Sequence, residues 1–201
     1  MTKKPHYIRR DPTAPKPPEH LGGGRERCHY DPTVLAYLQR EYGVKTMLDV
    51  GCGLGCTVMA ARDLGIVANG IDGDPHCKPD FLHDFASGPC HPINIDIVWS
   101  MEFLEHVEER YIPNYMPAFQ SGRYAFVTYA PPGKPGHHHV NCQPESYWIE
   151  LFERHGFTWL DEETAHIRSI SDIQTVEIDG TVRQKSHKRF IRDHGLFFRR
   201  D

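Results

Sequence analysis

An aspartate followed by three glycines, in Asp49-Val50-Gly51-Cys52-Gly53-Leu54-Gly55, leaves few folds open to this chain. Residues 46–50 read as a buried strand, and residues 58–64 carry the apolar spacing of a helix that stops at Gly65. Glycine has no Cβ, so the backbone between strand and helix can bend tightly and let a ligand lie against it. Such a strand, bend and helix open an α/β unit whose ligand sits outside the carboxyl end of the strand.

The flanking pattern extends that unit. Asp31-Pro32 offers an N-cap and a first-turn proline, and Val34, Leu35 and Leu38 recur at helical spacing before Gly43. Further strands are predicted at 68–72, 81–83, 95–99 and 124–129, with helices at 102–110 and 144–155. This alternation implies α/β architecture with a mostly parallel sheet. After Phe157 come a short strand at 158–160, a mixed polar stretch, a turn signal at Ile178-Asp179-Gly180-Thr181 and an apolar run at 195–198, which fit an antiparallel edge. Residues 1–24, rich in Pro, Lys and Arg and ending in Leu21-Gly22-Gly23-Gly24, predict a flexible N-terminal arm, either a mobile lid or disordered. Residues 25–201 then form a single domain, as a 201-residue chain suggests.

Charge and cysteine content narrow the partners. The formal net charge is −4 with all 14 histidines neutral, so no global positive field exists to draw in nucleic acid, which is not expected as a partner. The six cysteines form no CxxC pair and no charged-then-apolar leader precedes them, which predicts reduced thiols and a cytoplasmic protein. No apolar run approaches the roughly 18 residues of a membrane span.

The cofactor follows from what the bend lacks. A dinucleotide fingerprint needs Gly or Ala at position 56, where this chain has Cys56. Asp49 would repel a pyrophosphate over the helix N-terminus, but suits a ligand carrying an ammonium and a sulfonium, which points to S-adenosylmethionine. Asp72 closes the next strand where a carboxylate can accept both ribose hydroxyls, with Asp74 as second choice. In His83-Asp84-Phe85, Asp84 can accept from the adenine amino group while Phe85 packs against its ring.

Through Leu48-Asp49-Val50-Gly51-Cys52-Gly53-Leu54-Gly55, Gly70-Ile71-Asp72, His83-Asp84-Phe85 and Asp96-Ile97-Val98-Trp99-Ser100, the chain resembles the class I S-adenosylmethionine-dependent methyltransferases. The resemblance covers residues 46–157 and the last strand, and residues 162–193 match no pattern of that family. It implies a Rossmann-like, seven-stranded, mostly parallel sheet with an antiparallel final strand and helices on both faces. It also implies that Asp49, Gly51, Cys52, Gly53 and Gly55, then Asp72, Gly73, Asp84 and Phe85, and finally Ser100 and Met101, bind the cofactor.

At the chemical end, Glu102-Phe103-Leu104-Glu105-His106 follows the fourth strand, where positions i, i+3 and i+4 share a helical face. The loop after the next strand carries His137-His138-His139, and if it is extended His137 and His139 share a face. Methyl transfer to oxygen needs positioning and removal of a proton, so a base or a metal is required. His139 is the first choice of base and His106 the second, with Glu102 in support. The E-x-x-E-H pattern with a later His resembles the metal-assisted O-methyltransferases, which implies Mg or Mn on Glu102, Glu105, His106 and His139. A metal-free histidine base stays equally open, as does a structural role in which Glu102 and Glu105 merely favour a helix N-terminus.

The resulting expectation is an O-methyltransferase acting on a small molecule, sugar or glycan unit, with metal-assisted methylation of RNA ends or non-catalytic cofactor binding by a regulatory protein as alternatives. DNA methylation does not fit: Pro131-Pro132 comes one strand too late for an amino-directed enzyme, and Pro89-Cys90 too early for a cytosine enzyme. The basic stretch Arg183, Lys185, Lys188, Arg189 and Arg192 reads as a solvated face rather than a phosphate track. A nicotinamide-dependent oxidoreductase is opposed by Cys56 and Asp49.

Overall fold

In the computed structural model, the described residues are 11, 13–21, 27–92, 94–177, 182–183 (backbone) and 188–201. Helix α1 (Pro32–Tyr42) starts where expected: the Asp31 carboxylate accepts from the Thr33 and Val34 amides, and Gly43 closes the helix in the left-handed region at φ 63°. The chain then alternates through β2 (Thr46–Val50), α2 (Cys56–Asp63), β3 (Val67–Asp72), β4 (Phe81–Leu82), β5 (Ile95–Ser100), α3 (Ile112–Gln120) and β6 (Gly122–Thr128). It ends through α4 (Glu145–Arg154), β7 (Phe157–Trp159), α5 (Asp161–Ile170), β8 (Gln174–Glu177), β9 (Val182–Arg183), α6 (Phe190–His194) and β10 (Gly195–Arg200), while β1 (Arg27–Tyr30) precedes α1.

Seven strands form one sheet in the order β4-β3-β2-β5-β6-β10-β7. The pairs from β4 to β6 are parallel, and β10 runs antiparallel to both β6 and β7. Side chains alternate across this sheet and split the core into two. Met47, Ile97, Trp99, Tyr124, Phe126 and Phe197 pack with Val34, Leu35 and Leu38 of α1, Val58 and Ala61 of α2 and Ile167 of α5. Leu48, Val50, Val98, Ala125, Val127, Leu196 and Phe198 pack with Tyr115, Met116 and Phe119 of α3 and with Trp148, Leu151 and Phe152 of α4. Both faces are therefore covered, as a mostly parallel sheet requires.

Three expectations need correction. Residues 102–110 do not form a helix but two 3₁₀ turns, Leu104–His106 and Glu109–Tyr111, separated by extended Val107. Glu102 sits at φ 57° and its amide donates to the Thr128 hydroxyl at 2.8 Å, so the helix cannot start there. The regular helix is α3, with Pro113 in its first turn and Pro117 inside it. Secondly, the mixed polar stretch after Leu160 contains α5, whose first turn carries Asp161, Glu162 and Glu163. Thirdly, the thiols are not all reduced: Cys28 on β1 and Cys56 at the start of α2 form a disulfide. That bond removes the support uniformly reduced thiols would have given to a cytoplasmic location.

A second sheet, β1-β8-β9, is antiparallel and joins the start of the domain to the region between α5 and β10. The turn signal at 178–181 lies outside the described residues. So does most of the predicted arm, but within it the Asp11 amide donates to the His76 carbonyl at 2.8 Å and His20 Nε2 lies 2.9 Å from Asp84. Among the described residues no helix is long and apolar enough to cross a membrane.

Candidate active site

The carboxyl ends of β2, β3 and β5 open into a cavity of about 680 Å³. In one part of it lies the glycine bend. Gly51 adopts φ 74°, and a Cβ there would come within 2.5 Å of the Phe103 ring, so both conformation and space demand glycine. The Asp72 carboxylate shapes the bend from across the strand ends: Oδ2 accepts from the Gly53 amide and Oδ1 from the Asp74 amide, each at 2.8 Å. Burial raises the Asp72 pKa against the lowering effect of those amides. Asp49 is buried, and its carboxyl is raised well above the ordinary value, first by burial and then by repulsion from Asp72. The bend thus presents acids poised to receive positive charge.

Most of the predicted cofactor residues converge here: Asp49, Gly51, Cys52, Gly53, Asp72, Gly73, Asp84, Phe85 and Met101 all line the cavity. Gly55 does not, and serves instead as the left-handed N-cap of α2 at φ 77°. Ser100 is fully buried behind the sheet edge, its hydroxyl donating to the Val50 carbonyl at 2.9 Å. Asp74 lines the cavity but accepts from the His76 amide and caps the turn Pro75–Cys77. Asp84 accepts from the Ala86 amide and lies 2.9 Å from His20 Nε2, and Leu21 presses on Gly73.

Glu105, His106 and His139 form the second cluster, with one ligand atom from each lying within 4.8 Å of the others. Glu105 is fully buried and neither carboxyl oxygen has a hydrogen-bond partner in the structure. Burial, then the neighbouring Glu102, pushes its pKa up to about 8. Glu102 is pushed up to about 7 by burial, against the lowering effect of a hydrogen bond with Thr128. His106 Nδ1 donates to the His137 carbonyl at 2.8 Å and His139 Nδ1 to the Lys134 carbonyl at 2.9 Å. With Nδ1 so engaged, Nε2 is the remaining ring nitrogen of each imidazole. The His106 pKa is lowered to about 4, chiefly by burial and then by His139. The Glu105 carbonyl accepts from the Val140 and Asn141 amides, which pins the histidine loop to the Glu105 turn.

Of the four expected metal ligands, Glu102 falls outside this cluster because residues 102–106 do not lie on one helix. The cavity is also lined by residues that local reading missed: His20, Arg27, His29, Tyr111 and Phe190. Lys188 belongs with them, lining the cavity while staying exposed to solvent. Its basic neighbours are engaged within the protein, Arg189 with Asp193 at 2.9 Å and Arg192 with the Ser171 carbonyl.

No protein-family model matches the chain. A curated relative, the ubiquinone biosynthesis O-methyltransferase of Saccharophagus degradans, is 38% identical over 82 residues, covering 32% of this chain and 34% of that protein. The chain therefore spans about a third of the length of the curated relative it matches. Among solved structures, magnesium protoporphyrin IX methyltransferase from Synechocystis PCC 6803 with bound SAM superposes with a TM-score of 0.56 at 15% identity, covering 84% of this chain and 76% of that one. The 1,6-didemethyltoxoflavin-N1-methyltransferase of Burkholderia thailandensis, bound to 1,6-didemethyltoxoflavin and S-adenosylhomocysteine, gives 0.55 at 13% identity over 83% and 76% of the two chains. The fold is that of the class I S-adenosylmethionine-dependent methyltransferases.

Proposed function

We propose that the chain is an S-adenosylmethionine-dependent methyltransferase that methylates a hydroxyl oxygen of a small molecule, a class that includes sugars and glycan units. One observation carries this reading: a single cavity holds both the Asp72-braced glycine bend and the imidazoles of His106 and His139. When bound, the cofactor supplies a methyl group on a sulfonium, whose in-line transfer to oxygen leaves a neutral thioether. Asp72 would hold the ribose, Asp49 would favour the cationic end by charge, and Phe85 would pack on the adenine. As an acceptor oxygen took the methyl carbon and the carbon–sulfur bond broke, His139 or His106 would accept the hydroxyl proton on a ring nitrogen. The low pKa of His106 keeps its ring unprotonated at neutral pH but makes it a weak proton acceptor, so His139 is the preferred base.

The same cluster fits a divalent ion. A buried carboxylate with neither oxygen partnered is costly unless a cation or proton satisfies it. Glu105, His106 and His139 would hold Mg or Mn, which would supply Lewis acidity that lowers the pKa of the acceptor hydroxyl. An RNA-end acceptor is less favoured, because Arg189 and Arg192 are occupied within the protein.

Calorimetry with S-adenosylhomocysteine, then transfer of labelled methyl from S-adenosylmethionine to hydroxylated acceptors with and without chelator, tests the proposal. Micromolar binding of the nucleoside is expected, on the order of −8 kcal/mol. Absence of binding, or preference for a dinucleotide, would sink the reading. Binding with no transfer to any hydroxyl would favour the non-catalytic alternative, and full activity in chelator would remove the metal.

A further inference from the structure

One wall of the cavity comes from outside the seven-stranded sheet. Arg27, Cys28 and His29 of β1 line it together with Lys188 and Phe190, which follow β9. In a protein of formal net charge −4, this wall carries two fixed cations. The Lys188 ammonium lies over the Phe190 ring, 5.3 Å from its centroid, and the His29 ring meets the same phenyl edge-on at 5.4 Å. His29 Nδ1 is held 2.9 Å from the Thr175 hydroxyl on β8. Arg27 stands opposite Glu177 in the β1–β8 ladder, yet of that pair only the arginine lines the cavity. The imidazole of His29 senses both cations, its pKa falling to about 4 through burial and then through Lys188 and Arg27.

We infer that Arg27, His29 and Lys188 form an anion-reading wall, so that the methyl acceptor is a hydroxylated compound bearing a carboxylate or phosphate group. A guanidinium offers a two-pronged donor set for either oxyanion, an ammonium adds a point charge, and Phe190 supplies an apolar floor for the carbon skeleton. The inference rests on the methyltransferase reading and adds the acceptor's charge to it. Arg27 and Lys188 lie outside the seven-stranded sheet, on β1 and the β9–α6 region, although the Cys28–Cys56 bond ties β1 to the start of α2. The wall is assigned to the acceptor, and the test below separates it from the cofactor's own carboxylate. Chemistry shared across a fold sits on the common sheet, and acceptor choice is grafted beside it.

The test uses the 201-residue chain saturated with S-adenosylhomocysteine and follows the His29 ring by NMR, its signal identified by its loss in His29→Gln. The probes are benzoate, phenyl phosphate and benzamide, which share a ring and differ in charge. At neutral pH benzoate and phenyl phosphate are expected to bind at least about tenfold tighter than benzamide and to shift the His29 ring signal, and phenyl phosphate, which stays anionic through the titration, to raise the His29 pKa by about one unit. Whichever anion binds tighter identifies the oxyanion. Arg27→Gln and Lys188→Gln should each erase most of that preference while leaving S-adenosylhomocysteine affinity within about twofold, as both side chains are exposed and neither braces the bend. Equal binding of benzamide and the anions, or no His29 response to either anion, overturns the inference alone. A tenfold loss of S-adenosylhomocysteine affinity in both variants also overturns it, by assigning these cations to the cofactor's carboxylate. Failure of the wild-type chain to bind S-adenosylhomocysteine overturns the methyltransferase reading and this inference with it.

Discussion

Replacing Asp72 with alanine should abolish useful cofactor affinity, and the size of the loss follows from a lone-pair count. A carboxylate has about four acceptor positions. In this structure two are occupied by the Gly53 and Asp74 amides, both at 2.8 Å, and the Gly73 amide also bears on the carboxylate. About one or two remain for a vicinal ribose diol. Each hydrogen bond to a charged group is worth about 1.5–3 kcal/mol, so losing one or two costs about 1.5–6 kcal/mol, or about ten-fold to ten-thousand-fold in Kd. Loss of the amide contacts should also loosen the bend, so the upper part of that range is expected. Asp72→Asn should fall almost as far, because its NH₂ would face an amide that already donates. Calorimetric titration with S-adenosylhomocysteine measures this directly, and circular dichroism confirms that the variants fold. Affinity within threefold of wild type for Asp72→Ala would refute both the count and the assignment of Asp72 to the ribose.

Gly51→Ala should cost cofactor affinity at least about tenfold by the same titration, since its Cβ would meet Phe103 at 2.5 Å from a backbone at φ 74°. Gly136→Ala should spare cofactor affinity but lose methyl transfer, because a Cβ there falls 2.0 Å from His139 Nε2 and must displace the ring. Asp31→Ala should lower the urea-unfolding free energy by about 3 kcal/mol. The Asp31 carboxylate accepts from the Thr33 and Val34 amides and also from the Ser171 hydroxyl and Asp172 amide, so its loss strands four donors. His29 has a folded pKa of about 4 against 6.5, so the unfolded chain takes up the proton first and stability falls as pH drops from 6.5 to 4. His29→Gln should remove about 3 kcal/mol of that loss, read from urea melts across the window.

The parts of the fold legible in the sequence are those whose causes are local. Thr46–Val50 and the bend after it carry their own signals of alternation, glycine and a strand-end acid, and Asp31, Pro32 and Gly43 bracket α1 with residues suited to its two ends. Helix α3 was obscured by Pro113 and Pro117, although a proline in the first turn removes an amide that would have had no partner anyway. The shape of 102–106 depends on a hydrogen bond from Glu102 to Thr128, a residue of another strand, which no spacing rule between 102 and 106 can reveal. Spacing did reach three members of the acid–imidazole cluster, Glu105, His106 and His139. It did not reach Arg27 or His29, because their meeting with Phe190 and Lys188 is decided by the pairing of β1 with β8. Cys28 and Cys56 likewise share no motif, and only the fold brings them together.

The position of β10 sets an order of events during synthesis. It fills a slot between β6 and β7, both of which leave the ribosome earlier, so those two strands must wait with facing edges unpaired until Gly195–Arg200 arrives. A nascent chain halted near residue 190 would hold β6 without a neighbour on one side and α4 with no Leu196 or Phe198 to cover. Such a fragment is a template for strand addition by other chains, and it would aggregate unless a chaperone covered that gap.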